Sequence, residues 1–290
     1  MHQTSPAQRR QRLTRPHWSF SQVAQYQRCP LQYFFERIVR LPRSFTPTGL
    51  ALGSAVHAAL AAYHEQLLQG GRIVQHQIED ELLAAWRAID EDRPIRLGEG
   101  ESTVELIDLG LSLLEAYLRE PPPENIVAVE QQVVVPLFNS QGAVLEKPLV
   151  VVLDLLCRDQ QSLMIVEFKT SRRRYSELDL KTALQANCYV HAVRERSDWP
   201  VKLQYTVLVK TKTPQVQTLT DDCPEFESGR LGDTIEAVDR AIQAGAFYPV
   251  ESPLNCSTCP YHAPCRDWQR KSRTTVVDLN TSVAREAISC

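Results

Sequence analysis

The chain has 290 residues, 43% hydrophobic and 23% charged, with 18 Pro, 11 Gly and 8 Cys. That composition excludes collagen-like, wholly disordered and disulfide-scaffold proteins, and the length allows one elaborated domain or two smaller ones, each with a real core. The formal charge of −3, from 32 basic and 35 acidic residues, excludes a chain coated in positive potential, so nucleic-acid binding would need a local patch.

Residues 1–17 carry Arg9, Arg10, Arg12 and Arg15 with no apolar stretch behind them, which reads as a flexible basic leader rather than a secretory signal and predicts a cytoplasmic protein. No apolar run approaches the roughly 18 residues of a membrane span. Ser19-Phe20-Ser21-Gln22 is a helix start, Ser19 capping and Gln22 closing the box, and predicts a helix to about Val39. Leu52, Val56, Leu60, Tyr63 and Leu67, spaced by three and four, predict a second helix stopped by Gly70-Gly71, with Gly53, His57, Ala61 and His64 on its opposite face.

Two further amphipathic helices follow, through Ile78–Ile89 and Val104–Leu118, and Pro121-Pro122-Pro123 closes this helical half. The period then changes. Ile126–Pro136, Pro148–Cys157 and Ser162–Thr170 are β-branched runs separated by turn sequences, and read as three consecutive strands of one sheet. A helix over Ser176–Arg194, a strand over Val201–Lys210, a short strand at Val216–Leu219 and a helix over Glu225–Ala244 complete the pattern. A Cys-rich segment ends near Trp268, and the last 20 residues show no clear periodicity.

Asp154 stands inside Val150-Val151-Val152-Leu153-Asp154-Leu155-Leu156, where an unpaired carboxylate would be costly. The next strand ends Glu167-Phe168-Lys169, and a period of two puts Glu167 and Lys169 on one face. Two acids on neighbouring strands could hold Mg²⁺ or Mn²⁺, which polarises a phosphate and lowers the pKa of bound water; the lysine would orient that water or offset charge on phosphorus. Alone, an acid, a spacer and a lysine at a strand end is more often a solvated edge.

The larger constellation is ordered: Gly53-x-x-x-His57 on a helix, Asp154 on a strand, Glu167-x-Lys169 on the next, and Gln185-x-x-x-Tyr189 on the following helix. It resembles the RecB-like branch of the PD-(D/E)XK nuclease superfamily, with Leu153 where the superfamily's name has proline. The resemblance covers residues 18–268 and implies a restriction-endonuclease-like α/β core, a mixed central sheet flanked by helices, with residues 72–120 as a helical insertion and 269–290 as a tail. It further implies that His57, Asp154, Glu167 and the Phe168 carbonyl ligate metal, that Lys169 is the catalytic lysine, and that Gln185 and Tyr189 organise the site and contact the DNA backbone.

Cys256, Cys259 and Cys265 form C-x2-C-x5-C, and Cys29 lies far upstream in Cys-Pro-x-x-Tyr. Four thiolates suit zinc or an iron-sulfur cluster. The same order of cysteines occurs in the iron-sulfur subset of RecB-like nucleases, including AddB-type and CRISPR-adaptation nucleases, which implies a 4Fe-4S cluster joining the chain ends. His262 lies inside the Cys group as an alternative ligand. Cys157, Cys188, Cys223 and Cys290 show no ligand spacing, and the first two read as small buried hydrophobes.

Arg172, Arg173 and Arg174 follow Lys169 almost directly and would hang a basic loop beside the site, with Lys181, Lys210 and Lys212 extending the patch. No Walker A spacing is present, so the chain is not itself a helicase. The expectation is a metal-dependent DNA nuclease acting on single strands or ends in repair, recombination or defence, alone or beside a separate helicase subunit. The alternative is a non-catalytic DNA-binding or scaffold subunit of a helicase-nuclease complex.

Overall fold

A computed structural model describes residues 16–71, 75–223 and 227–274. All but the last two residues of the expected basic leader, and most of the expected tail, lie outside the described residues. The described chain forms helices α1 (Phe20–Arg28), α2 (Pro30–Tyr33), α3 (Thr48–Leu68), α4 (Gln75–Asp92) and α5 (Thr103–Leu118), then strands β3 (Ile126–Val135), β4 (Leu149–Arg158) and β5 (Leu163–Ser171). Helices α6 (Glu177–Lys181) and α7 (Leu184–Arg194), strands β6 (Val201–Val209) and β7 (Gln215–Asp221), and helices α8 (Ser228–Gln243), α9 (Pro253–Cys256) and α10 (His262–Thr274) follow. Two short parallel strands, β1 (Thr46–Pro47) and β2 (Ile95–Arg96), tie the start of α3 to the end of α4.

The five main strands lie in the order β3-β4-β5-β6-β7. Only β5 and β6 run parallel, connected through α6 and α7; the other neighbours are antiparallel. This is the mixed, helix-flanked α/β sheet expected from the sequence. Helices α1, α7 and α8 supply one core with Val23, Tyr26, Tyr189, Ile235 and Val238. Helices α3, α4 and α5 supply the other with Val56, Leu60, Leu82, Trp86 and Leu113. Helix α8 lies so near the β3–β4 connection that a Cβ on Gly232 would collide with the Phe138 carbonyl oxygen.

Three boundaries differ from expectation. The helix expected from Ser19 to Val39 breaks at Cys29, whose φ of −161° and ψ of 100° are extended. Pro30 is the cause, because its ring excludes the α conformation from the preceding residue. Helix α2 starts at Pro30 and runs into a π-helical turn, Phe34–Ile38. The helix expected over Ser176–Arg194 is likewise two, parted at Thr182 and at the extended Ala183; the Thr182 hydroxyl donates to the Leu178 carbonyl, competing with the helical ladder. At the other end, α10 runs on to Thr274, past the expected boundary at residue 268.

The β3–β4 pair changes faces midway. Leu149, Val151 and Leu153 of β4 join the core under α1 and α7, whereas Leu155 and Cys157, of the same parity, join the core under α3 to α5. On β3, Val133 and Val135 face the first core while Val129 packs against the second. The reversal falls at Asp154 and its cross-strand neighbour Glu130, whose φ of 48° is left-handed in the middle of a strand.

Candidate active site

Where β4 and β5 pair, Leu155 faces Val166 and Leu156 faces Ile165, so the same register sets Asp154 across from Glu167. The ladder ends at Leu155 and Val166: β5 continues with β6 as far as Ser171, while the first half of β4 stays with β3. The two acids therefore sit in the fork between parting strands. One Asp154 oxygen, Oδ2, takes up the freed main chain, accepting the Phe168 N–H at 2.9 Å, and lies 3.4 Å from His57 Nδ1.

Glu167 is 2% exposed, and one of its oxygens is fully engaged. Lys169 Nζ and Gln185 Nε2 each donate to Oε1 at 2.7 Å, and Gln185 also bonds the Lys169 ammonium and the Tyr189 hydroxyl. The break before α7 turns Gln185 and Tyr189, one turn apart, onto Glu167. Glu167 Oε2, in contrast, is buried with no hydrogen-bond partner. Lys169 Nζ also lies 5.5 Å from the centre of the Tyr205 ring, on the β6 residue that pairs with Glu167.

The charges pull on one another. Burial and the neighbouring Asp154 raise Glu167 to about 7, against the lowering effect of Lys169. Burial opposes protonation of His57, but the Asp154 carboxylate and the hydrogen bond to it prevail and raise His57 to about 9. Asp154 is driven upward by burial, yet His57, the Phe168 N–H and Lys169 together hold it below the usual carboxylate range. Among the described residues no three His, Cys, Asp or Glu side chains stand ready-arranged around a metal position; these donors pair with one another, with Lys169 and with Gln185. The unsatisfied Glu167 Oε2 beside Asp154 and an imidazole is nevertheless a hard, anionic donor set of the kind that suits Mg²⁺ or Mn²⁺.

A cleft of about 610 Å³ opens over these residues, lined by His57, Asp154, Glu167, Gln185 and Tyr189 together with His17, Ser19, Ser21 and Gln132. Sequence reasoning missed these last four as cleft residues, and also Tyr205, which only the strand register reveals. The arginine loop is partly committed. Arg173 makes a two-pronged pair with Asp179 at 2.7 and 2.9 Å and lies over Tyr175, Arg172 reaches Glu101 at 3.4 Å, and Arg174 reaches Gln215. Lys210 stands with Arg172 and Glu101, while Lys181 pairs with Glu177.

The segment around Cys29 meets the segment from Tyr248 to Trp268. Asn255 bonds the Arg28 carbonyl 227 residues away, Leu31 N–H bonds the Tyr248 carbonyl, and Tyr261 bonds Leu41. Cys29, Cys259, Cys265 and Trp268 pack around Leu31, Phe35 and Tyr261. Burial, then the charges of Cys29, Cys259, Glu251 and Cys256, push the Cys265 thiol up to about 11. Cys29, Cys259 and Cys265 thus share one packed cluster and Cys256 lies near enough to act on two of them, but among the described residues no three of these cysteines stand arranged around a metal position. Cys157 and Cys188 are buried elsewhere, as expected of small hydrophobes.

The mixed α/β sheet brings the two acids, the adjoining lysine and the helical Gln-Tyr pair together at one strand fork, as the resemblance implied. Comparison with known families agrees: a model of the PD-(D/E)XK nuclease superfamily matches residues 17–266, and the chain belongs to that superfamily. The solved structures similar to it include a candidate exonuclease from Eubacterium rectale, 13% identical, with a TM-score of 0.52 and complete coverage of both chains, which shows a shared fold. SSO0001 is a weaker likeness, 12% identical at a TM-score of 0.36 over 82% of this chain and 94% of its own. No curated protein matches the chain. Among the described residues no helix is long and apolar enough to cross a membrane.

Proposed function

We propose that this protein is a metal-dependent deoxyribonuclease that hydrolyses phosphodiester bonds in single-stranded DNA or at DNA ends. The observation that carries the reading is the buried Glu167: one oxygen fixed by Lys169 and Gln185, the other unpartnered and beside Asp154. His57, Asp154, Glu167 and the Phe168 carbonyl would hold Mg²⁺ or Mn²⁺, which supplies Lewis acidity toward a phosphate oxygen and toward attacking water. Lys169, itself held by Glu167 and Gln185, presents an ammonium that orients the nucleophile and offsets negative charge as the phosphate becomes five-coordinate. Gln185 and Tyr189 keep Glu167 and Lys169 in place and form part of the cleft wall along which a strand would lie.

The cysteines support a second, structural group. Thiolates at Cys29, Cys256, Cys259 and Cys265 would repel one another, and a cationic centre removes that repulsion. The soft four-sulfur set fits a 4Fe-4S cluster, with zinc the competitor, and either would staple the two cysteine segments together. A helicase subunit on another chain would supply unwound substrate, in repair, recombination or defence.

The test is degradation of end-labelled single- and double-stranded DNA with Mg²⁺ or Mn²⁺, comparing wild type with Lys169→Ala after anaerobic preparation. Cutting by wild type alone supports the reading. Wild-type protein that binds DNA and cuts none would overturn it in favour of a non-catalytic subunit.

A further inference from the structure

His64 is buried on α3, two turns beyond His57, and has no part in the chemistry proposed above. Its ring stacks on Phe168, centroids 5.1 Å apart and planes 19° from parallel. Its Nε2 shares a hydrogen bond of 2.8 Å with the Tyr117 hydroxyl, near the end of α5. Tyr117 in turn meets Phe168 edge-on at 5.4 Å, and His57 does so at 6.5 Å. Three rings from two helices thus pack against Phe168, which is 2% exposed.

Phe168 is where the site's groups join. Its N–H fixes Asp154, and its chain neighbours are Glu167 and Lys169. At this point β5 has lost β4 as a backbone partner; the Asp154 carboxylate replaces it on that edge, while β6 pairs with the opposite edge. Helix α3 also rides directly on the strand end, since a Cβ on Gly53 would stand 3.3 Å from Thr170 Oγ1.

Resting on the nuclease reading, we infer that His64 and Tyr117 are positioning residues: their hydrogen-bonded pair clamps Phe168 and so sets the spacing of Asp154, Glu167 and Lys169. The helical insertion, which contributes Tyr117, thereby belongs to the active-site geometry as well as to the core.

The test compares full-length wild type with Tyr117→Phe, His64→Leu and His64→Gln, and with Leu82→Ala, a buried change in α4 that removes no ring from the stack. Three quantities are read: Mn²⁺ affinity by calorimetry without DNA, kcat and KM on single-stranded DNA, and amide exchange across residues 163–171. Tyr117→Phe and His64→Leu are expected to lower kcat and Mn²⁺ affinity by about 10- to 100-fold, the range for groups that orient ligands, with KM for DNA little changed. Exchange at Phe168 should quicken, and His64→Gln, which can still bond Tyr117, should recover most of the loss. If Tyr117→Phe leaves Mn²⁺ affinity, kcat and Phe168 exchange at wild-type values, or if Leu82→Ala reproduces its whole profile, the pair is packing alone and the inference falls. Wild type that neither binds Mn²⁺ nor cuts DNA would sink the nuclease reading instead, and Phe168 exchange would still decide whether the pair clamps the strand.

Discussion

The Phe168 N–H donates to the Asp154 carboxylate at 2.9 Å, so a side chain takes over where the β4–β5 ladder stops. That one bond converts a backbone feature, the parting of two strands, into a fixed orientation for a carboxylate that burial would otherwise penalise. The other oxygen donors of the site are arranged around it.

On the proposed reading the Glu167 and Lys169 pair serves chemistry rather than stability. Glu167→Gln and Lys169→Ala are each expected to reduce cleavage at least about 100-fold while far-UV circular dichroism stays unchanged. Removing Lys169 leaves a buried carboxylate with less compensation, so the double change Glu167→Gln/Lys169→Met should melt higher than Lys169→Ala alone. Thermal melts beside end-label assays check both halves; a Lys169→Ala protein that cuts at the wild-type rate would contradict the assignment.

Protonation gives a second check on the metal-free protein. His57, raised to about 9, contributes stability that is complete below its ordinary value near 6.5 and is lost as pH rises through 9. Glu167 is an acid whose folded value is raised to about 7, so the folded state holds an extra proton between about 4.5 and 7, and stability again falls as pH rises through that window. Burial works the opposite way on His64, lowering it to about 4, so its contribution rises with pH up to about 6.5 and offsets that of Glu167; melting temperature without metal should therefore decline from about pH 6.5 to pH 9. Mn²⁺ must displace these protons, so its affinity should rise over the same range, with proton release visible as buffer-dependent calorimetric heat. Flat melting and no proton release would contradict the coupled site.

Much of this was legible in the sequence, for identifiable reasons. The three-and-four spacing of Leu52 to Leu67 and the β-branched runs after the triple proline report local burial, and α3 and strands β3 to β5 lie there. Proximity between distant elements is written in no local period. Nothing in the spacing of His64, Tyr117 and Phe168 says that their rings touch, and nothing near Tyr205 says that it lies beside Lys169. The break at Cys29 could have been read from Pro30 alone. The face reversal at Glu130 and Asp154 could not, since a left-handed residue in an otherwise regular β run leaves the composition unchanged.

That reversal yields a third prediction. A β-branched side chain is strongly disfavoured at a φ of 48°, so Glu130→Val should cost about 1–3 kcal/mol and weaken Mn²⁺ binding by letting Asp154 shift. Chemical denaturation and metal titration measure the two effects. Wild-type values in both would mean that the strand pair tolerates a regular conformation at that position.

Where the two cysteine segments meet, the proposed cluster or zinc predicts that Cys259→Ser lowers stability by about 2–5 kcal/mol and releases iron or zinc, because a tie between segments so distant in sequence restricts the unfolded chain strongly. Iron and zinc analysis with absorbance near 400 nm identifies the group. An unchanged melt would show that the hydrogen bonds from Asn255 and Tyr261 hold the segments without it.

The three arginines should separate by function. Arg173 is held on Asp179 by two short bonds, so Arg173→Ala trades away a solvent-screened surface pair and should barely alter DNA affinity. Arg172 is 84% exposed and reaches Glu101 only at 3.4 Å, leaving its charge available to a phosphate. Arg172→Ala should weaken binding of single-stranded DNA and reduce the slope of log affinity against log salt by about 0.7, the value for one lost phosphate contact on a single strand. Fluorescence anisotropy at several salt concentrations measures that slope. Equal losses from Arg172→Ala and Arg173→Ala would mean that the Asp179 pair opens on binding, whereas no loss from Arg172→Ala would place the DNA path along Ser19 and Gln132 in the cleft instead.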